Sequence, residues 1–116
     1  MGDNEVGERL RAERRGTVAQ IETLSRVVEG IVSAQTGTAT DDEHDPEGQT
    51  IAYERAQAGA MLQRARDRLA AIDAALSRVD DDSYGRCERC GRPIDPERLA
   101  VLPAARTCVS CAAAGR

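Results

Sequence analysis

Four cysteines stand as two close pairs, CERC and CVSC, in this 116-residue chain: Cys87, Cys90, Cys108 and Cys111, spaced C-x2-C-x17-C-x2-C. Two residues between thiolates let one tight turn aim both sulfurs at a single ion. A second pair then completes a tetrahedron with Zn–S bonds near ~2.3 Å. The competing chemistry is a pair of disulfides or a thiol redox couple. The spacing, together with a charged N-terminal stretch (MGDNEVGERLRAERR) that does not resemble a secretory leader, favours metal. Sulfur fills all four positions and leaves none for water, so the predicted role is one structural Zn²⁺ ion and not a catalytic one. Four thiolates around Zn²⁺ carry a net charge of about −2, and Arg86, Arg89, Arg92 and Arg106 are placed to offset it. Gly91, directly after Cys90, permits the positive φ that turns backbone N–H groups toward sulfur.

The residues between the pairs, RPIDPERLAVLPAART, supply Ile94, Leu99, Val101 and Leu102 as a small apolar patch. So little apolar surface cannot fold alone, and zinc binding must contribute folding free energy. Asp95-Pro96-Glu97 reads as an N-cap, a proline at the first helical position and an acid in the first turn. No open metal site, nucleophile–base pair or glycine-rich phosphate loop is present in the sequence, so no enzyme is predicted.

A second charged constellation is TDDEHDPEG, residues 40–48, where Asp41, Asp42, Glu43, Asp45 and Glu47 surround the single histidine, His44. An acidic turn is commonly just a solvated turn. Concentrated carboxylates can also steer toward a basic surface or perturb a Mg²⁺ site. The spacing matches no EF-hand loop.

Both constellations need elements to position them. From about Asn4 to Gln35, Leu10, Thr17, Ile21, Leu24, Val28 and Ile31 recur by threes and fours, with Arg14 interrupting, as in a helix with one narrow apolar seam. From about Thr50 to Val79, Ile51, Ala58, Leu62, Ala65, Leu69, Ile72, Leu76 and Val79 follow a heptad pattern broken by Arg55. Gly37, Pro46 and Gly48 mark the connection as a loop. The predicted fold is all-α: an antiparallel helical hairpin, or coiled coil, over residues 1–80 with its tip loop at about 36–49, then a small four-cysteine zinc finger over 81–116. Such a hairpin satisfies its own seam, which predicts a monomer.

Composition agrees. Phe and Trp are absent and only two tyrosines are present, so no thick core is expected. The net charge of −4 argues against gripping duplex nucleic acid by phosphate neutralisation, and no direct sequence-specific DNA binding is expected. Arg9, Arg11, Arg14 and Arg15, interleaved with Glu8 and Glu13, read as a solvated helix face. No stretch approaches the ~18 apolar residues of a membrane span, so a soluble cytoplasmic protein is expected.

The stretch YGRCERCGRPI followed by RLAVLPAARTCVSC resembles the DksA/TraR family of bacterial transcription regulators, and the likeness extends over residues 42–111. The resemblance implies a partner, RNA polymerase, whose secondary channel receives a coiled coil with an acidic tip while the zinc module forms the base. The family's tip motif, two aspartates and then an alanine, is matched in part. In one frame Asp45, Gly48 and Thr50 take those places; in another Asp42, Asp45 and Glu47 do. Only AAAGR follows Cys111, so the long C-terminal helix of the best-known members is not expected, nor is alarmone sensitivity. The alternatives are a zinc finger binding nucleic acid directly and a thiol redox-sensing adaptor.

Overall fold

The computed structural model describes residues 3–37 and 46–115, with side chains over 4–31 and 48–115. Among the described residues four helices follow one another: α1 (Asp3–Gly37), α2 (Pro46–Asp80), α3 (Pro96–Val101) and α4 (Val109–Ala114). Among the described residues the only β-type pairing is an isolated antiparallel bridge between Arg86 and Pro93. The fold is all-α, with α1 and α2 antiparallel.

The long helices exceed their expected limits. α2 begins at Pro46, four residues ahead of Thr50, and α1 runs to Gly37, so the expected loop at 36–49 loses residues at both ends. A proline at a helix start loses nothing, because the first N–H groups have no intrahelical acceptor and its fixed φ suits the helix. Pro46, read as a breaker, therefore opens α2.

The chain divides into two compact units. One comprises Met1–Arg15 and Leu69–Arg116. Its core is Val6, Leu10, Ile72 and Ala75, with Leu76, Val79, Tyr84 and Ala104 packed against it. Leu10 and Ile72 are fully enclosed, worth ~1.5–3 kcal/mol each in transfer terms. The seam shifts here: Ala75, not Leu76, is the fully buried position after Ile72. Tyr84 and Ala104 lie on that core, so the stripe that α2 buries is wider than a two-helix seam requires. Arg14, which interrupts the α1 seam, extends its Nε to Asp73 Oδ1 at 2.6 Å. The hydrogen bond and charge of Asp73 raise the Arg14 pKa. Both side chains are about half exposed (45% and 47%), so solvent screens the pair and it contributes little to stability.

The other unit is Gly16–Arg68. Its core is Leu24, Leu62 and Ala65, with Ile21 and Val28 partly buried beside them. Ala58 and Thr17 are also buried. No buried side-chain nitrogen or oxygen among the described residues lacks a hydrogen-bond partner.

Candidate metal centre

The finger starts where α2 stops. The Arg78 carbonyl accepts from the N–H of Ser83 at 2.9 Å and of Tyr84 at 3.1 Å, closing the helix end. Asp82 takes a positive φ of 64° in this turn. The Asp81 carboxylate accepts from the hydroxyl and N–H of Ser83, which holds its pKa below the usual carboxylate value.

A short knuckle closed by the Arg86–Pro93 bridge follows. Gly85 and Gly91 adopt φ values of 85° and 75°, the left-handed region that only glycine enters freely. Ile94 N–H donates to Gly85 O at 2.7 Å and Cys87 N–H to Arg92 O at 2.8 Å. Gly91 N–H donates to Cys87 O at 2.9 Å, so Cys87 and Cys90 share one tight turn. The second pair is set on α4. Cys108 is its N-cap residue, and its Sγ accepts from Cys111 N–H at 3.5 Å. Glu88 N–H donates to Arg106 O at 2.9 Å and joins the two halves.

All four sulfurs lie within 4.8 Å of one another. Cys90 Sγ and Cys108 Sγ are 3.9 Å apart, close to the ~3.8 Å edge of a tetrahedron with ~2.3 Å Zn–S bonds. Backbone N–H groups, Cys108's first and then Cys90's, pull the Cys87 thiol down to about 6. Cys111, hydrogen-bonded with the Cys108 sulfur, is pushed up to about 12. Thiols packed this closely cannot all ionise unaided, and a divalent cation removes the conflict. The donor set fits one zinc ion with no open coordination position.

The surroundings depart from expectation in three ways. Of the expected apolar patch, Ile94 is buried at 3% exposure, while Val101 and Leu102 face solvent at 77% and 50%. α3 forms as predicted, with Asp95 Oδ1 accepting from Glu97 N–H at 2.9 Å. Of the four arginines expected to balance the thiolates, Arg106 reaches Glu88 at 3.0 Å and Arg86 donates to Gly91 O at 3.4 Å. A guanidinium that the sequence did not single out, that of Arg78 in the last turn of α2, reaches Glu88 and the Ala105 carbonyl of the module. Tyr84, read as an edge aromatic, is packed on the core and donates its hydroxyl to Pro103 O at 2.6 Å. Burial raises its pKa.

The other predicted site residues are not seen at this centre. Asp41, Asp42, Glu43 and Asp45, with His44, lie outside the described residues. Glu47 is in the first turn of α2, and its side chain lies outside them too.

Residues 82–114 match the prokaryotic dksA/traR C4-type zinc finger family. The C-terminal module is a DksA/TraR zinc finger. It is the region that holds one structural zinc ion. Around this DksA/TraR finger the chain is similar to the RNA polymerase-binding transcription factor DksA of Caulobacter vibrioides, 48% identical over 50 residues, which are 40% of this chain and 35% of that protein. The matches to the first curated relatives span 28% to 45% of those proteins' own length. Among solved structures, transcription factor DksA2 from Pseudomonas aeruginosa superposes with a TM-score of 0.79 at 22% identity, over 97% of this chain and 81% of that one. The DnaK suppressor protein from Agrobacterium tumefaciens gives a TM-score of 0.60 at 27% identity, over 98% and 94%. These likenesses extend the shared fold beyond the DksA/TraR finger into α1 and α2. No helix among the described residues is long and apolar enough to cross a membrane.

Proposed function

We propose that the protein is a non-enzymatic cytoplasmic regulator that binds RNA polymerase and modulates transcription initiation. In this reading residues 1–80 form the hairpin that approaches the polymerase, and residues 81–116 form the module that anchors it. Cys87, Cys90, Cys108 and Cys111 are the ligands of its single zinc ion. The acidic connection between α1 and α2, with Asp41, Asp42, Glu43 and Asp45, enters the secondary channel as the effector together with Glu47 in the first turn of α2. The protein acts as a monomer. The observation that carries the reading is the C4 finger joined to two antiparallel helices, in a chain similar to proteins named as RNA polymerase-binding transcription factors.

Direct nucleic-acid binding by the finger is less well supported. Tyr84, its one aromatic residue, is packed on the core and hydrogen-bonded, and so offers no face for stacking on bases. Arg86, Arg98 and Arg106 are engaged by Gly91 O, Thr107 O and Glu88.

The test is retention of purified bacterial RNA polymerase on the immobilised protein, alongside initiation assays with an Asp42→Asn/Asp45→Asn variant. The expected result is that both proteins retain polymerase and only the wild type changes initiation. No retention by the wild type would sink the polymerase reading. Equal effects from both proteins would remove the acids from the effector role.

A further inference from the structure

Arg78 belongs by sequence to the last turn of α2, yet its side chain belongs to the finger. That side chain is 11% exposed, and its NH1 lies 3.6 Å from Glu88 Oε1. Its NH2 donates to the Ala105 carbonyl at 3.5 Å. Glu88 sits between Cys87 and Cys90, and Ala105 lies shortly before Cys108. One planar guanidinium therefore touches the segments that carry both cysteine pairs. Glu88 is held from its other side as well, by Arg106 Nε at 3.0 Å from Oε2 and by its own N–H on Arg106 O at 2.9 Å. Arg78 in turn is fixed through its carbonyl, which accepts from Ser83 and Tyr84.

We propose that Arg78 is a positioning residue for the zinc site: through Glu88 and the Ala105 carbonyl it holds the two cysteine pairs in register, so that α2 sets the metal affinity of the finger. This rests on the four-cysteine zinc assignment. A site whose halves are already held together loses less freedom when the ion arrives. Partners that orient ligands from behind typically shift metal affinity by ~10–100-fold when removed. The charges agree in sign: Arg78 and Arg106 outnumber Glu88 by one positive charge next to a site that carries about −2 with zinc bound. Arginine suits the place because its fork reaches two acceptors at once, which an ammonium does with less direction.

The experiment measures zinc content and zinc affinity of the full chain by competition with a chromophoric chelator. The wild type is expected to hold one zinc per chain. Arg78→Gln and Glu88→Gln are each expected to bind zinc ~10-fold or more weakly. Arg78→Lys is expected to fall between, since it keeps the charge and loses the fork. Arg66→Gln removes an exposed positive charge from α2 without touching the clamp and is expected to leave affinity unchanged. Should Arg78→Gln melt earlier but bind zinc as tightly as the wild type, the contact only stabilises the fold and the proposal is wrong. It is equally wrong if Arg66→Gln weakens binding as much as Arg78→Gln. If Arg78→Gln does not fold even with zinc in excess, Glu88→Gln decides, because it leaves Arg78 its bond to Ala105. A wild type that holds no zinc would instead overturn the metal assignment, and this proposal with it.

Discussion

Glycines in this chain fall into two kinds, and substitution should separate them. Gly85 and Gly91 sit at φ values of 85° and 75°, where an L side chain costs ~1–2 kcal/mol. Gly16 and Gly30 lie inside α1, and a Cβ built on either meets nothing within 4 Å. Gly16→Ala and Gly30→Ala are expected to stabilise by ~0.4–1 kcal/mol each. Gly91→Ala is expected to destabilise the zinc-loaded protein by ~1–2 kcal/mol, all read from thermal melts. The thiols give a second residue-scale expectation. Cys87 at about 6 lies below its unfolded value of ~8.5. A depressed value of this kind contributes stability fully above pH ~8.5 and loses it as pH falls through the folded value. Protons compete with zinc for the thiolates, so zinc release from the loaded protein is expected as pH falls, followed with a chromophoric chelator during acid titration. At this scale the metal ligands were legible, because two x2 spacings encode one geometry. Arg78 and Tyr84 were not. Nothing in a heptad pattern says that a polar residue in the last turn will point into the next module.

Elements were legible where one face meets one partner. Leu10, Leu24, Leu62, Ala65 and Ile72 were all read from periodicity and are all buried. Val6 and Ala75 were missed, because around them α1 and α2 also meet Tyr84 and Ala104, and a third contact widens the buried stripe. Leu10→Ala tests that region: it removes a fully enclosed side chain and is expected to cost ~2–5 kcal/mol in chemical denaturation. α3 was legible from its cap alone. Asp95→Ala leaves the Glu97 N–H without its acceptor and is expected to cost ~0.5–2 kcal/mol by the same measurement. The start of α2 was misread because proline and glycine were taken as breakers, whereas proline at the first helical position is favourable.

For the molecule as a whole, the division of labour between metal and helix decides what chelation does. α3 and α4 hold six residues each, against 35 in each of α1 and α2. Stripping zinc with a strong chelator is expected to leave most of the far-ultraviolet helical signal. It should abolish amide-exchange protection around residues 82–114. The core of Leu24, Leu62 and Ala65 contains no residue of the finger and should keep its own protection.

With no tryptophan and only Tyr53 and Tyr84 as aromatic residues, the chain carries its own optical reporter. Tyr53 is 65% exposed, whereas the Tyr84 phenol is committed to a carbonyl within the finger. Ultraviolet absorbance and tyrosine emission therefore divide into a constant signal and one that changes as the finger loosens. A label-free titration can follow that change in a chain bearing Tyr53→Leu, where every remaining photon comes from position 84.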